Sequence, residues 1–232
     1  MDDVFLKTTH TQEALEPQPS ITFGEIFLQI WTSPRQVFRR IEETGYEKYL
    51  ILLIILGSID QAFDRAILKD MGDKLPFVYV IVICLLGGLI LGWLGYFISA
   101  ALLRWTGSWL GGEASFKSVL RVIGYATIPS IFSLAILSFQ LVIFGESMFK
   151  SDEYHFSDEY LTNMLMLMLL LTTSIIQIGL SVWSFVMTIN GLSVVHNFSR
   201  WKALGNVLLA IAVIVGIVLL LIIPILMLYY FR

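Results

Sequence analysis

Five long apolar stretches, separated by short polar connections, occupy nearly all of this chain after residue 46. They cover approximately 46–68, 76–103, 119–144, 161–190 and 203–230. Each stretch exceeds the ~20 residues that an α-helix needs to cross a hydrocarbon layer of ~30 Å. Only 14% of the residues are charged, against about 25% in soluble domains. We therefore predict an all-α polytopic membrane protein whose residues 46–232 form a bundle of five transmembrane helices.

The segment just ahead of the first span, residues 22–45, has the pattern of two amphipathic helices. The apolar positions of the first helix share one face and are Phe23, Ile26, Phe27, Ile30 and Trp31. Ser33 can cap the second helix, with Pro34 at its first position. Basic side chains beside aromatic ones suit the anionic cytoplasmic leaflet, which predicts helices lying in the membrane interface. The predicted membrane-surface residues are Phe23, Phe27, Trp31, Arg35, Arg39 and Arg40. The alternative, compatible with the first, is that the apolar stripe covers the end of the bundle.

The rest of the sequence gives no reason to expect an enzyme. Residues 1–21 are polar and are predicted to form a disordered tail. The net charge of −3 does not indicate binding to nucleic acid. Cys84 is the only cysteine, and the carboxylates between Glu146 and Glu159 match no EF-hand spacing. The HExxH, GxSxG and P-loop patterns do not occur. We therefore expect no catalytic residue, no metal and no cofactor.

Lysine and arginine are distributed unequally between the two sides of the predicted bundle. The side that carries the N-terminus has nine, namely Arg35, Arg39, Arg40, Lys48, Arg104, Lys117, Arg121, Arg200 and Lys202. The opposite side has five, namely Arg65, Lys69, Lys74, Lys150 and Arg232. Because cytoplasmic loops carry the excess of Lys and Arg, we predict a cytoplasmic N-terminus and a C-terminus outside the cell or in a lumen.

A cluster of polar residues interrupts the first apolar stretch. Counting 1.5 Å per residue from Tyr46 places Asp60 about 21 Å along the helix, in the outer half of the bilayer. Charged groups at this depth are costly and indicate a functional site with a polar partner. We therefore predict a pocket that Asp60 lines from inside the bundle. Its candidate residues are Asp60, Gln61, Asp64, Arg65, Gln140 and Asn163. The alternative is that this turn has already left the hydrocarbon and is an interfacial helix end.

Glycines and prolines mark points where helices pack closely or bend. Gly88 and Gly92 form a GxxxG pair in the second stretch, which predicts close packing of helix backbones, either between two copies or within one chain. Pro129 and Pro224 predict kinks in the third and fifth helices. Transporters break helices in this way to build binding sites, but a static kink has the same sequence pattern.

Short motifs along the chain resemble those of one membrane-protein family. They are Trp31-x-x-Pro34 with Phe38, the SFKSVL stretch at 115–120, Gly124-Tyr125-Ala126-x-x-Pro129, Trp183-Ser184, Gly191-Leu192, and Ser199 with Lys202-Ala203. In their order and spacing, over residues 24–215, the chain resembles the Yip-one family of five-span membrane proteins. Eukaryotic members are named for interacting with Rab-type GTPases. The resemblance implies a cytoplasmic N-terminal segment followed by five helices.

One feature of the eukaryotic members is missing. Their Asp-Leu-Tyr-Gly-Pro stretch ahead of the first span is absent, and the region before that span is reduced to about 45 residues. The chain is therefore more similar to the compact prokaryotic members, which implies a location in the prokaryotic inner membrane. GTPase binding does not carry over on this resemblance, because a shared fold does not fix function.

Two functional hypotheses remain open on the sequence. The first is a non-enzymatic scaffold or adaptor that binds the lipid bilayer and other membrane proteins. The second is a transporter of small solutes or a lipid flippase that uses the polar pocket near Asp60. No internal repeat is detected, and five helices do not divide into two equal halves, which favours the scaffold. A homo-oligomer is compatible with the sequence, but nothing in it indicates one.

Overall fold

The structure, a computed structural model, describes residues 21–151 and 160–230. The helices are α1 (Phe23–Gln29), α2 (Pro34–Thr44), α3 (Leu50–Leu68), α4 (Phe77–Gly87), α5 (Trp93–Trp109), α6 (Phe116–Ala126), α7 (Ile128–Phe144), α8 (Tyr160–Val195) and α9 (Arg200–Tyr230). No strand occurs within these residues. Residues 1–20 of the predicted tail 1–21 and residues 152–159 of the acidic loop lie outside the described part of the chain, whereas Ile21, the last residue of that tail, is buried.

Four helical segments are long and apolar enough to cross a membrane. They are Phe77–Trp109, Phe116–Phe149, Thr162–Val195 and Arg200–Pro224. The first of these contains α4 and α5, joined by one turn of π-helix, Gly88–Gly92. The predicted first span, α3, is not among the four: it has 19 residues and carries Asp60, Asp64 and Arg65. A count of five spans therefore stays a prediction.

The segment Phe116–Phe149 is interrupted where the proline pattern predicts a kink. Pro129 is the second residue of α7, and it has no N–H to continue the hydrogen bonding of α6, which ends at Ala126. The Thr127 hydroxyl donates to the carbonyl of Gly124 at 2.7 Å and lies 3.3 Å from that of Leu53. The break is therefore held in place by α3. Pro224, in contrast, lies inside α9, which runs on to Tyr230.

The start of α3 is later than the sequence predicted. Gly45 and Tyr49 both have left-handed backbone angles, with φ of 62° and 64°. Two such residues prevent a continuous helix, so 46–49 form a turn and α3 begins at Leu50. The Tyr125 hydroxyl donates to the Lys48 carbonyl at 2.8 Å, which fixes this turn against α6.

The glycine pair Gly88 and Gly92, in the segment Phe77–Trp109, packs against another helix of the same chain. A methyl group on Gly88 would overlap Ile59, and one on Gly92 would overlap Ser58, both on α3. Gly87 and Gly95, on the same helix, face open space. The small residues therefore let α3 approach the π-helical turn closely, which is the intramolecular alternative to dimerisation.

The two N-terminal helices pack against one end of the bundle. The apolar face of α2 is fully buried against α6 and α8, and consists of Val37, Phe38 and Ile41. Ile26 of α1 and Ile30, which caps its C-terminal end, are also fully buried. A capping box between Thr22 and Glu25 starts α1, whereas Ser33, expected to cap α2, makes no side-chain cap bond. The protein thus covers much of the apolar stripe, and attachment of these helices to a membrane stays a prediction.

Candidate functional site

The Asp60 side chain points into the bundle and is only 7% exposed. The Ser130 and Ser133 hydroxyls of α7 lie beside the carboxyl group. Its Oδ1 atom is nevertheless buried without a hydrogen-bond partner among the described residues. An unpaired buried carboxyl oxygen is costly, which makes this turn a candidate functional site.

The polar neighbours of Asp60 on α3 are arranged as a chain that leads outward. The Gln61 amide donates to the Tyr96 hydroxyl at 3.3 Å, and Arg65 donates to the Gln61 carbonyl oxygen at 3.5 Å. Gln61, Asp64 and Arg65 are all exposed. Tyr96, on α5, is 6% exposed and was not among the predicted site residues.

Two residues predicted for the same pocket are not joined to Asp60. Gln140 is 4% exposed and donates to the Thr173 hydroxyl of α8 at 2.7 Å. Gln177 reaches the Gln140 oxygen at 3.5 Å, so these amides link α7 to α8. Asn163 is half-buried near the start of α8. The structure therefore brings Asp60 together with Ser130, Ser133 and Tyr96, which the sequence analysis missed. The sequence did offer a signal for them, because Ser130 and Ser133 are polar residues within the apolar stretch 119–144 and Tyr96 is one within 76–103.

A second group of buried polar residues lies at the α2 end of the bundle. Arg121 of α6 is 9% exposed and forms ion pairs with Glu42 at 3.6 Å and Glu47 at 3.9 Å. Its guanidinium also donates to the Ile41 carbonyl at 3.4 Å. Ser118 donates to Glu42 at 2.6 Å. This network ties α6 to α2 and to the turn that follows it.

The same end contains an imidazole enclosed by glycines. His196 is 1% exposed, stacks on Phe198 with ring centroids 4.9 Å apart, and lies against Gly107 and Gly112, where no side chain would fit. Its Nδ1 accepts from the Ala114 N–H at 3.4 Å. Burial lowers the pKa of His196, so the ring stays neutral with its proton on Nε2.

The predicted membrane-surface residues fall into two sets. Phe27 and Trp31 contact Phe132 of α7, with ring centroids 5.9 and 5.4 Å apart, and Phe23 contacts Tyr49 at 4.9 Å. All three of these α1-side aromatic residues are half-buried.

The arginines of α2 differ in their partners. Arg40 reaches Glu25 at 3.8 Å and Gln29 at 3.4 Å, which clamps α1 to α2. The Thr22 N–H bonded to Glu25 lowers the pKa of that carboxyl group, and Arg40 adds to the effect. Arg35 and Arg39 are exposed and line a cleft. No three His, Cys, Asp or Glu side chains come together as a metal site within 21–151 and 160–230.

The chain thus consists of apolar helices preceded by two N-terminal helices that pack against them, and this arrangement agrees with the protein family that its sequence matches. The family model of the Yip1 domain matches residues 28–223. The chain belongs to the Yip1 domain family. No curated protein matches it, and no solved structure matches it. This Yip1 domain contains the motifs from Trp31-x-x-Pro34 to Lys202-Ala203 on which the resemblance was based. It is therefore an integral, multi-pass membrane protein of that family.

Proposed function

We propose that this Yip1 domain is a non-enzymatic membrane scaffold or adaptor with five spans and a cytoplasmic N-terminus. It binds other membrane proteins through its apolar helices and the cytoplasmic leaflet through α1 and α2. The observation that carries the proposal is the exposure of α8 and α9. Only 6% of the most apolar window of each is buried, against 17% in Phe77–Trp109 and 22% in Phe116–Phe149.

The C-terminal half of α9 offers the clearest contact surface for a partner helix. Its N-terminal half packs through Ala203, Asn206 and Ala210, all buried. From 211 to 224 every side chain is exposed or half-exposed. Ala212 and Gly216 lie on this surface at the small-xxx-small spacing that lets membrane helices approach closely. Lipid covers such a surface by default, and a partner helix can replace it.

Site-specific photo-crosslinking in native membranes tests this proposal. A photoreactive residue at Val215 should capture defined proteins, and Gly216→Leu should reduce that yield by blocking close approach. Gly95→Leu is the matched control, because Gly95 also faces open space on a membrane helix. Capture of lipid alone at Val215, or equal loss of yield in both leucine variants, would contradict a partner surface on α9.

One observation favours a second function, transport of a small solute or lipid. Asp60 is buried with an unpartnered oxygen, and the residues before it, Ser58 and Ile59, pack on the π-helical turn Gly88–Gly92, a kind of turn that occurs frequently at functional sites. A flux assay in proteoliposomes separates the two functions. Under transport, Asp60→Leu abolishes flux while the exposed control Asp64→Asn retains it. Under the scaffold function, Asp60→Leu leaves crosslinking at Val215 unchanged, and wild-type vesicles show no flux above empty ones.

A further inference from the structure

A cleft of about 480 Å³ lies between the start of α2 and the last turns of α8. Residues 32–36 and Arg39 form one side, and Trp183, Val186, Asn190 and Arg200 form the other. Its volume is in the range of sites for small ligands. This cleft is separate from the exposed surface of α9 and from Asp60.

The cleft is lined by positive charge without a counter-charge. The guanidinium groups of Arg35, Arg39 and Arg200 line it, and none of them has an ion-pair partner within the described ranges 21–151 and 160–230. Glu42 and Glu43 lie in the adjacent cleft, which also contains Arg35 and Arg39. Glu42 is already bound by Arg121 and Ser118. Three cations around one concave space repel one another, and an anion there relieves that repulsion.

The floor of the cleft adds a buried polar group. Asn190 is 9% exposed, and its amide donates to the Val186 carbonyl at 2.8 Å. An amide nitrogen carries two N–H groups, so one remains to donate to a ligand. Trp183 and Val186 supply apolar surface beside it. A ligand that fits is an anion with oxygen acceptors joined to an apolar part.

The cleft also lies at the depth of lipid headgroups. The 36 residues of α8 and the 31 of α9 correspond to roughly 54 Å and 46 Å, well beyond the ~30 Å of hydrocarbon. Asn190 and Ser193 of α8, Asn206 of α9 and His196 between the two helices are buried at the α2 end, whereas Thr173 is buried farther back along α8. Exposed charged residues lie at the same end, Lys117, Arg200 and Lys202, so the excess length projects into water there. Trp201, 82% exposed beside Arg200, is typical of the interface.

We propose that this cleft binds the phosphate of an anionic phospholipid headgroup. The inference rests on the proposed attachment of α1 and α2 to the cytoplasmic leaflet, and it specifies the chemistry of that attachment. Arg35, Arg39 and Arg200 donate to the phosphate oxygens, as planar guanidinium groups do in bidentate contacts. Asn190 donates from the floor, and Trp183 contacts the glycerol region.

The test compares two triple variants of the full chain in detergent micelles. Arg35→Gln/Arg39→Gln/Arg200→Gln empties the cleft of charge. Arg104→Gln/Lys117→Gln/Lys202→Gln removes the same charge from exposed positions on the same side, outside the cleft. Native mass spectrometry measures retention of phosphatidylglycerol, with phosphatidylcholine as the zwitterionic comparison. The cleft variant should lose affinity for phosphatidylglycerol about tenfold or more, and the control variant should lose much less.

Further arms make each outcome decisive. Asn190→Leu changes no charge and should weaken phosphatidylglycerol retention severalfold. Equal losses in the two triple variants, or unchanged binding in Asn190→Leu, would mean that surface charge alone attracts lipid, and the proposal would be wrong. Inorganic phosphate should fail to displace phosphatidylglycerol at equal concentration; if it displaces the lipid, the cleft is a site for free phosphate. Crosslinking at Val215 is independent of the cleft, so failure here leaves the scaffold function untouched.

Discussion

Replacing Arg121 with methionine should loosen α2 from the bundle. The substitution keeps most of the side-chain volume but removes the ion pairs to Glu42 and Glu47 and the donor to the Ile41 carbonyl. That carbonyl keeps other partners, since the N–H groups of Gly45 and Tyr46 both donate to it. The loss is therefore confined to the charge network.

The exposure of the partners sets the magnitude. Breaking a fully buried ion pair by removing one member costs about 3–5 kcal/mol. The Arg121 side chain is 10% exposed, but those of Glu42 and Glu47 are 35% and 52% exposed. Both carboxylates can therefore regain water, which screens much of the loss. We expect the free energy of local opening of α2 to fall by about 1–3 kcal/mol, which is about 5- to 150-fold in the opening equilibrium.

Hydrogen exchange of the peptide covering 34–44, measured by mass spectrometry in lipid nanodiscs, reports this opening directly. Lys117→Met is the matched control, because Lys117 is exposed one turn earlier on α6 and forms no ion pair within the described chain. The two methionine variants exchanging alike in α2 would refute the reasoning. A double-mutant cycle with Glu42→Gln should give a coupling above about 0.5 kcal/mol; no coupling would assign the effect to packing.

Three further predictions concern other parts of the fold. Gly92→Ala should destabilise the protein by about 1–3 kcal/mol, since the added methyl overlaps Ser58, whereas Gly95→Ala should not lower the thermal midpoint in detergent; similar midpoints would contradict the packing. Because burial lowers the pKa of His196 below its usual 6.5, the unfolded chain binds protons more readily. The contribution of neutral His196 to the free energy of unfolding should therefore be fully present above about pH 6.5 and decrease as the pH falls below that value. In thermal midpoints measured between pH 5 and 8, His196→Gln should remove this decrease. An unchanged pH dependence in the variant would exclude His196 as its source. A reporter fused to the C-terminus and active only in the cytoplasm should stay silent, and activity from it would exclude five spans with a cytoplasmic N-terminus.

The sequence predicted what depends on periodicity and on single residues. Pro129 produces the expected break because proline lacks an N–H group, an effect that does not depend on tertiary packing. The 3.6-residue period places Asp60 and Asp64, four residues apart, on one face of α3, but the burial of Asp60 beside Ser130 and Ser133 while Asp64 stays exposed depends on packing against α7. The tight turn at Tyr49, a left-handed conformation in a non-glycine residue, carries no local signal, so the start of α3 was predicted too early.

The contacts between distant segments were beyond the sequence. Arg121 was counted with the loop arginines, and nothing in α6 shows that Glu42 and Glu47 would reach it from a segment more than 70 positions earlier. Gln140 was expected near Asp60 from depth alone. Its partner depends on the rotation of α7 about its axis, which turns the amide toward Thr173 of α8. Depth can be counted along a chain, but helix rotation is set by packing against neighbours.

The way each membrane helix is held supports the proposal that a partner helix packs on α9. In lipid no hydrophobic effect pulls helices together, so close backbone packing and hydrogen bonds must do so. Gly88 and Gly92 let α3 pack closely on the turn between α4 and α5, and the Gln140 hydrogen bond joins α7 to α8. In the described stretch 211–224 of α9, no side chain is buried against another helix, and Gly216 has no neighbour within the chain. Pro224 also has no N–H to give the carbonyl four residues earlier, which leaves a hydrogen-bond acceptor at membrane depth. Under the proposed scaffold function, a partner helix with a hydroxyl group donates to this carbonyl without disturbing the core.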